Sequence, residues 1–131
     1  MEPAYGLPPV YRNPILIEAL PMAGEVNWGM EKLGVEPLRR ATDGGKGIKI
    51  GIVDTGIDDP HPLFEGRFGG SVDFTGSPVG PKDRNGHGTH VSGTVGGKDS
   101  RIGVAYNSTI YHGKGLGDGG SGGNSILRAI E

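Results

Sequence analysis

The chain has 131 residues, 13 basic and 15 acidic, for a formal charge of −2, a balance that gives no electrostatic support to nucleic-acid or anionic-membrane binding. The absence of cysteine excludes a disulfide framework, Cys-ligated zinc and a thiol nucleophile. With 34% hydrophobic residues, 27 glycines and 10 prolines, the composition fits at most one loop-rich domain, because the glycines lie within apolar runs rather than in a low-complexity tract.

Residues 1–25 form a Pro-rich extension (Pro3, Pro8, Pro9, Pro14, Pro21) with one apolar patch, Ile15-Leu16-Ile17. Prolines at that density forbid a continuous helix and leave two readings open, a disordered leader or a docked strand. The opening residues lack the basic start and apolar stretch of a secretory signal, so an intracellular address is favoured but not fixed. No run approaches the ~20 apolar residues of a membrane-crossing helix.

From Val26 to Thr42 the pattern is helical in short pieces, with Trp28, Leu33, Val35 and Leu38 as anchors expected to pack on a sheet. Pro37 suits the first turn of a helix that Asp43-Gly44-Gly45 ends. The β-branched run Ile48, Ile50, Ile52, Val53 predicts a strand over 46–54, its near-continuous apolarity suggesting burial on both faces. Further strands are expected at 71–74 and 109–112. Helices are expected at 87–97, where Val91 and Val95 share a face, and from Ser125 onward. Strand and helix alternating in this order predict an α/β layer with parallel strands.

Two segments carry chemistry. Val53-Asp54-Thr55-Gly56 puts a carboxylate at a strand's carboxyl end, where α/β sheets collect functional groups, although a lone Asp there is more often a turn residue. Gly86-His87-Gly88-Thr89-His90 opens a helix with an imidazole between glycines. His87 and His90 lie three apart, which also raises a metal-hydrolase reading with Asp54. Asp83 reads equally well as a loop cap, and Asp58, Asp59 and His61 as a turn stiffened by Pro60 and Pro62. Residues 115–120 match Gly-x-Gly-x-x-Gly, a weak dinucleotide signal whose acidic partner would fall past residue 131.

Together, Val-Asp-Thr-Gly-Ile-Asp and Gly-His-Gly-Thr-His-Val-Ser-Gly-Thr closely resemble the Asp and His signatures of the subtilisin-like serine proteases, in that family's order of Asp before His. The resemblance covers roughly residues 26–131 and implies the N-terminal half of a parallel-sheet subtilisin-like α/β fold. It implies a serine endopeptidase in which Asp54 orients and stabilises His87, and His87 acts as general base and then acid. Two fields would act on His87: the carboxylate favours the imidazolium and the positive helix N-terminus opposes it. Gly120-Ser121-Gly122 would be a backbone edge that pairs with an extended peptide or protein substrate, and Leu116 would line an apolar subsite. The Asp83 position matches the family as well.

The sequence also departs from the family. It contains no Gly-Thr-Ser-Met-Ala-like nucleophile segment, so the 131 residues alone are expected to be inactive. The chemistry requires no cofactor or metal. Structural calcium belongs to secreted relatives, but the loop Lys98-Asp99-Ser100-Arg101-Ile102 is short and carries positive charge where oxygens are needed. Intracellular relatives carry N-terminal extensions that cover the cleft, and the Ile15–Ile17 patch suggests similar self-inhibition. A half sheet is also expected to self-associate through its unpaired edge. The alternative to a protease is a catalytically inactive pseudoprotease or peptide-binding half-domain.

Overall fold

The computed structural model describes residues 5–6 and 28–131. In chain order the elements are β1 (Tyr5–Gly6), α1 (Trp28–Leu33), α2 (Glu36–Ala41), β2 (Lys49–Asp54), β3 (Phe68–Asp73), α3 (His87–Gly96), β4 (Thr109–Lys114), β5 (Ser121–Gly122) and α4 (Asn124–Ile130). Short 3-10 turns at Asp43–Gly45 and Pro62–Phe64 link them. The Ile15–Ile17 patch lies outside the described residues.

The three longer strands form a parallel sheet in the order β2-β4-β3. β2 and β4 pair without a slip from Lys49–Thr109 to Asp54–Lys114, whereas the β3–β4 register shifts between Phe68 and Gly70. Because β4 enters between two earlier strands, the carboxyl ends of all three finish side by side at Asp54, Asp73 and Lys114. One face carries the core, where Ile52, Ile57, Phe64 and Ile110 are buried and Ile50, Phe68, Val91 and Val95 pack against them.

That core face is covered by α3, whose buried residues are Gly88, Ser92, Gly93 and Gly96. Each helical glycine costs about 0.5–1 kcal/mol relative to alanine, so this helix is weak in isolation. What the glycines provide is proximity. A Cβ at Gly88 would lie 2.2 Å from the Gly56 carbonyl oxygen, and one at Gly96 would lie 2.4 Å from Ile110 Cδ1. Only a bare backbone lets the first turn of α3 come so close to the end of β2.

Two expectations about faces do not hold. Ile48 is 55% exposed, and β2 runs exposed, half-buried, exposed, buried, half-buried, buried from Lys49 to Asp54. Its second face is therefore open rather than packed. The anchors Trp28, Leu33 and Leu38 are also exposed. The buried residues of α1 and α2 are Met30 and Arg39. The Arg39 guanidinium lies 4.9 Å from the Tyr106 ring centre, bonds Glu36 at 3.1 Å and donates to the Ser100 carbonyl. A cation stacked on an aromatic face fixes these helices where leucines were expected to.

Candidate active site

β2 delivers Asp54 to the carboxyl edge of the sheet, buried at 6% exposure. Its Oδ1 accepts the Thr55 backbone N–H at 2.7 Å, which holds the carboxylate against its own turn. The His87 imidazole arrives from the first residue of α3, with Nδ1 2.9 Å from Asp54 Oδ1 and 3.0 Å from Oδ2. An ionised carboxylate can only accept, so in the neutral imidazole Nδ1 carries the proton and Nε2 is the acceptor. The His87 side chain is 26% exposed, against 9% for Asp54. The pair is therefore sheltered on its acidic side and open on its basic side.

A second carboxylate supports the first. Asp83 Oδ1 accepts from the Thr55 hydroxyl (3.0 Å) and from the N–H groups of Asn85 (3.0 Å) and Gly86 (2.9 Å). Its Oδ2 accepts from the N–H and hydroxyl of Thr89 at 2.9 and 2.6 Å. Burial pushes the Asp83 carboxyl up, but the hydrogen bonds from Thr89, Gly86 and Thr55 outweigh it and hold the group below its ordinary value. The sequence offered Asp83 only as a loop cap or a family position. Its partners lie up to 28 residues away, so no local pattern displays them.

The glycine tract is tied to the same edge. The N–H groups of Gly115 and Leu116 both donate to the Asp54 carbonyl, at 3.0 and 3.1 Å. Leu116 is 8% exposed. Asn85 Nδ2 reaches the Asp118 carbonyl at 2.9 Å, and the fully buried Lys114 ammonium bonds Asp118 Oδ1 at 2.6 Å and the Lys82 carbonyl at 2.8 Å. Of the expected edge, Gly120 is buried, Ser121 exposed and Gly122 half-buried. Ser121 and Gly122 are β5, and they pair antiparallel with Gly6 and Tyr5 of β1.

Among the described residues no group of three or more His, Asp or Glu side chains is arranged to hold a metal ion. His90, the second histidine of the metal reading, is exposed on α3. In the Lys98–Ile102 loop, Lys98 pairs with Glu65, and the one carboxylate, Asp99, is bound by Arg101 at 2.9 and 3.2 Å. Hydrogen bonds from Arg101 hold the Asp99 carboxyl down at about 2. The Asp58–His61 segment is a turn in which His61 Nδ1 accepts the Leu63 N–H.

The parallel sheet thus brings a carboxylate and an imidazole together at its carboxyl edge, and the comparisons specify the family. The Subtilase family matches residues 45–131, and the chain belongs to that family. An alkaline protease of Alkalihalobacillus alcalophilus is 38% identical over 118 residues, covering 87% of this chain and 30% of that protein. Subtilisin-like protease 7 of Trichophyton verrucosum is 41% identical over 111 residues, covering 80% of this chain and 27% of that protein. A cold-adapted subtilisin-like serine proteinase of known structure superposes with a TM-score of 0.60 at 38% identity, over 66% of this chain and 32% of the other. The fold is thus the subtilisin-like parallel α/β fold in part, and the chain spans about 30% of the length of these relatives.

Proposed function

We propose that this chain supplies the Asp and the His of an Asp-His-Ser endopeptidase, with Asp54 orienting and stabilising His87, His87 acting as general base and then acid, and the nucleophile contributed from outside these 131 residues. The observation that carries the reading is the 2.9 Å contact between His87 Nδ1 and Asp54. In this mechanism Nε2 takes the proton of a serine hydroxyl as its oxygen attacks the scissile carbonyl. Asp54 accepts the Nδ1–H throughout and stabilises the imidazolium. The proton then passes to the leaving amine, the peptide C–N bond breaks, and an acyl-enzyme remains for water to hydrolyse. An extended peptide or protein pairs with the 120–122 edge while Leu116 contributes an apolar wall.

The test is hydrolysis of an unfolded protein by this chain expressed together with the rest of its reading frame. Turnover sensitive to a serine-reactive phosphonate is expected. Asp54→Asn should lower kcat by roughly 10⁴ and His87→Ala by roughly 10⁶, the scale of losses from triad residues in serine proteases. A loss below about tenfold would remove the two residues from the chemistry. The 131-residue chain by itself should show no turnover.

A peptide-binding half-domain remains a second reading, favoured by one observation: the 121–122 edge already holds peptide backbone, that of β1. A frame that continues without a nucleophile segment, in a protein that binds peptides but does not cut them, would establish it over the first.

A further inference from the structure

We infer that Asp83 is the positioning residue of the Asp54–His87 pair, joining the end of β2 to the first turn of α3; this deepens the proposed function and rests on it.

A helix leaves its first N–H groups without intrahelical partners, and a side chain at the N-cap ordinarily satisfies one of them. The N-cap of α3 is Gly86, at φ +95°, which has no side chain to offer. Asp83 does the work from three residues upstream. It accepts from the N–H groups of Gly86 and Thr89, which bracket His87, and from the Thr89 hydroxyl. Its charge also lies at the positive end of the helix, where an anion is favoured.

Capping alone would not require the remaining contact. Asp83 Oδ1 also accepts the hydroxyl of Thr55, the residue directly after Asp54. That hydroxyl oxygen accepts in turn from the N–H of Gly88, the residue directly after His87, at 2.9 Å. Thr55 is completely buried. The successors of the two reacting residues are therefore bonded to each other, and Asp83 orients the hydroxyl that joins them. The Thr89 hydroxyl, held by Asp83 Oδ2, accepts the Asp58 N–H at 3.0 Å and closes the turn that follows β2.

Five donors converge on the two oxygens of Asp83, so both must accept. An asparagine cannot replace it, since its amide nitrogen only donates and would face at least two donors. Loss of the charge therefore frees the β2 turn from the α3 cap, and the imidazole is no longer held in line with the Asp54 carboxylate.

The experiment is proton NMR of the 131-residue chain at a concentration where it sediments as a monomer, reading the downfield His87 Nδ1–H resonance and its exchange with water. This readout needs no nucleophile. Asp83→Asn should lose the resonance to exchange while keeping dispersed backbone amides. Thr55→Val should weaken it in the same direction, and Thr55→Ser, which restores the hydroxyl, should recover it. If Asp83→Asn does not fold, the Thr55 pair decides. Folded variants that keep the wild-type resonance and exchange rate overturn the positioning role and leave the proposed function standing. A wild-type spectrum without the resonance overturns both.

Discussion

His112 sits between Ile110 and Lys114 on the inward face of β4, at 2% exposure, and neither ring nitrogen has a hydrogen-bond partner among the described residues. Burial pushes its pKa down, the Asp54 and Asp83 carboxylates pull against that, and the Lys114 ammonium adds to it. The folded chain therefore holds this imidazole neutral to lower pH than the unfolded chain does. Above about 6.5 both states are neutral there and the group has no effect; as pH falls from about 6.5 toward the lowered folded value, the unfolded state binds the extra proton and stability declines. His112→Leu should flatten the melting temperature over pH 6.5 to 5, read by circular dichroism, and an unchanged acid limb would show that other groups set it. Nothing in the sequence marks His112 apart from its place in an apolar strand. Asp54 and His87 were legible because each sits in a dense local motif. The roles of Asp83, Thr55 and Lys114 depend on partners brought in from other elements, and a periodic pattern cannot display those.

The elements themselves were read with uneven success, for a physical reason. β2, β4 and α3 stand out because β-branched runs and a Gly-His-Gly start constrain the backbone locally. The faces of α1 and α2 do not, because six residues make fewer than two turns and define no stripe. Leu33 and Leu38 were thus taken for anchors that Met30 and Arg39 provide. β1 was still harder to foresee, since a two-residue strand has no period to display. The Ile15–Ile17 patch expected to inhibit lies outside the described residues; we propose instead that Tyr5–Gly6, paired with Gly122 and Ser121, competes for the edge. A strand tethered in the same chain competes at an effective concentration of roughly millimolar. If so short a pairing has a millimolar dissociation constant, it occupies the edge about half the time. Deleting residues 1–25 from the extended, active protein should then lower KM for peptides about twofold or more with kcat unchanged. Unaltered steady-state kinetics would exclude the extension as a competitor.

At the scale of the whole chain, the two faces of the sheet differ among the described residues. α3 covers the core side, whereas α4 packs against the opposite side beside a cavity of about 570 Å³ lined by Gly51, Val53, Val72, Phe74, Tyr111 and Ile130. Val72 and Ile130 are 56% and 70% exposed. The outer strands β2 and β3 each have one edge without a strand partner among the described residues. The near-continuous apolarity of β2 was read as burial on both faces, whereas Ile50 and Ile52 face the core and the open face has only the half-buried Val53 beside the exposed Lys49 and Gly51. Apolar surface of this kind gains about 25 cal/mol per Å² when removed from water, and free strand edges offer unpaired backbone groups to direct the contact. The isolated 131-residue chain should therefore self-associate, its weight-average mass in sedimentation equilibrium rising with concentration. Val72→Lys with Ile130→Lys places charge on the open face without touching Asp54, His87 or the Asp83 bonds, and should return the chain to a monomer. A wild-type chain that stays monomeric and melts cooperatively at high concentration would mean that the half sheet is self-sufficient.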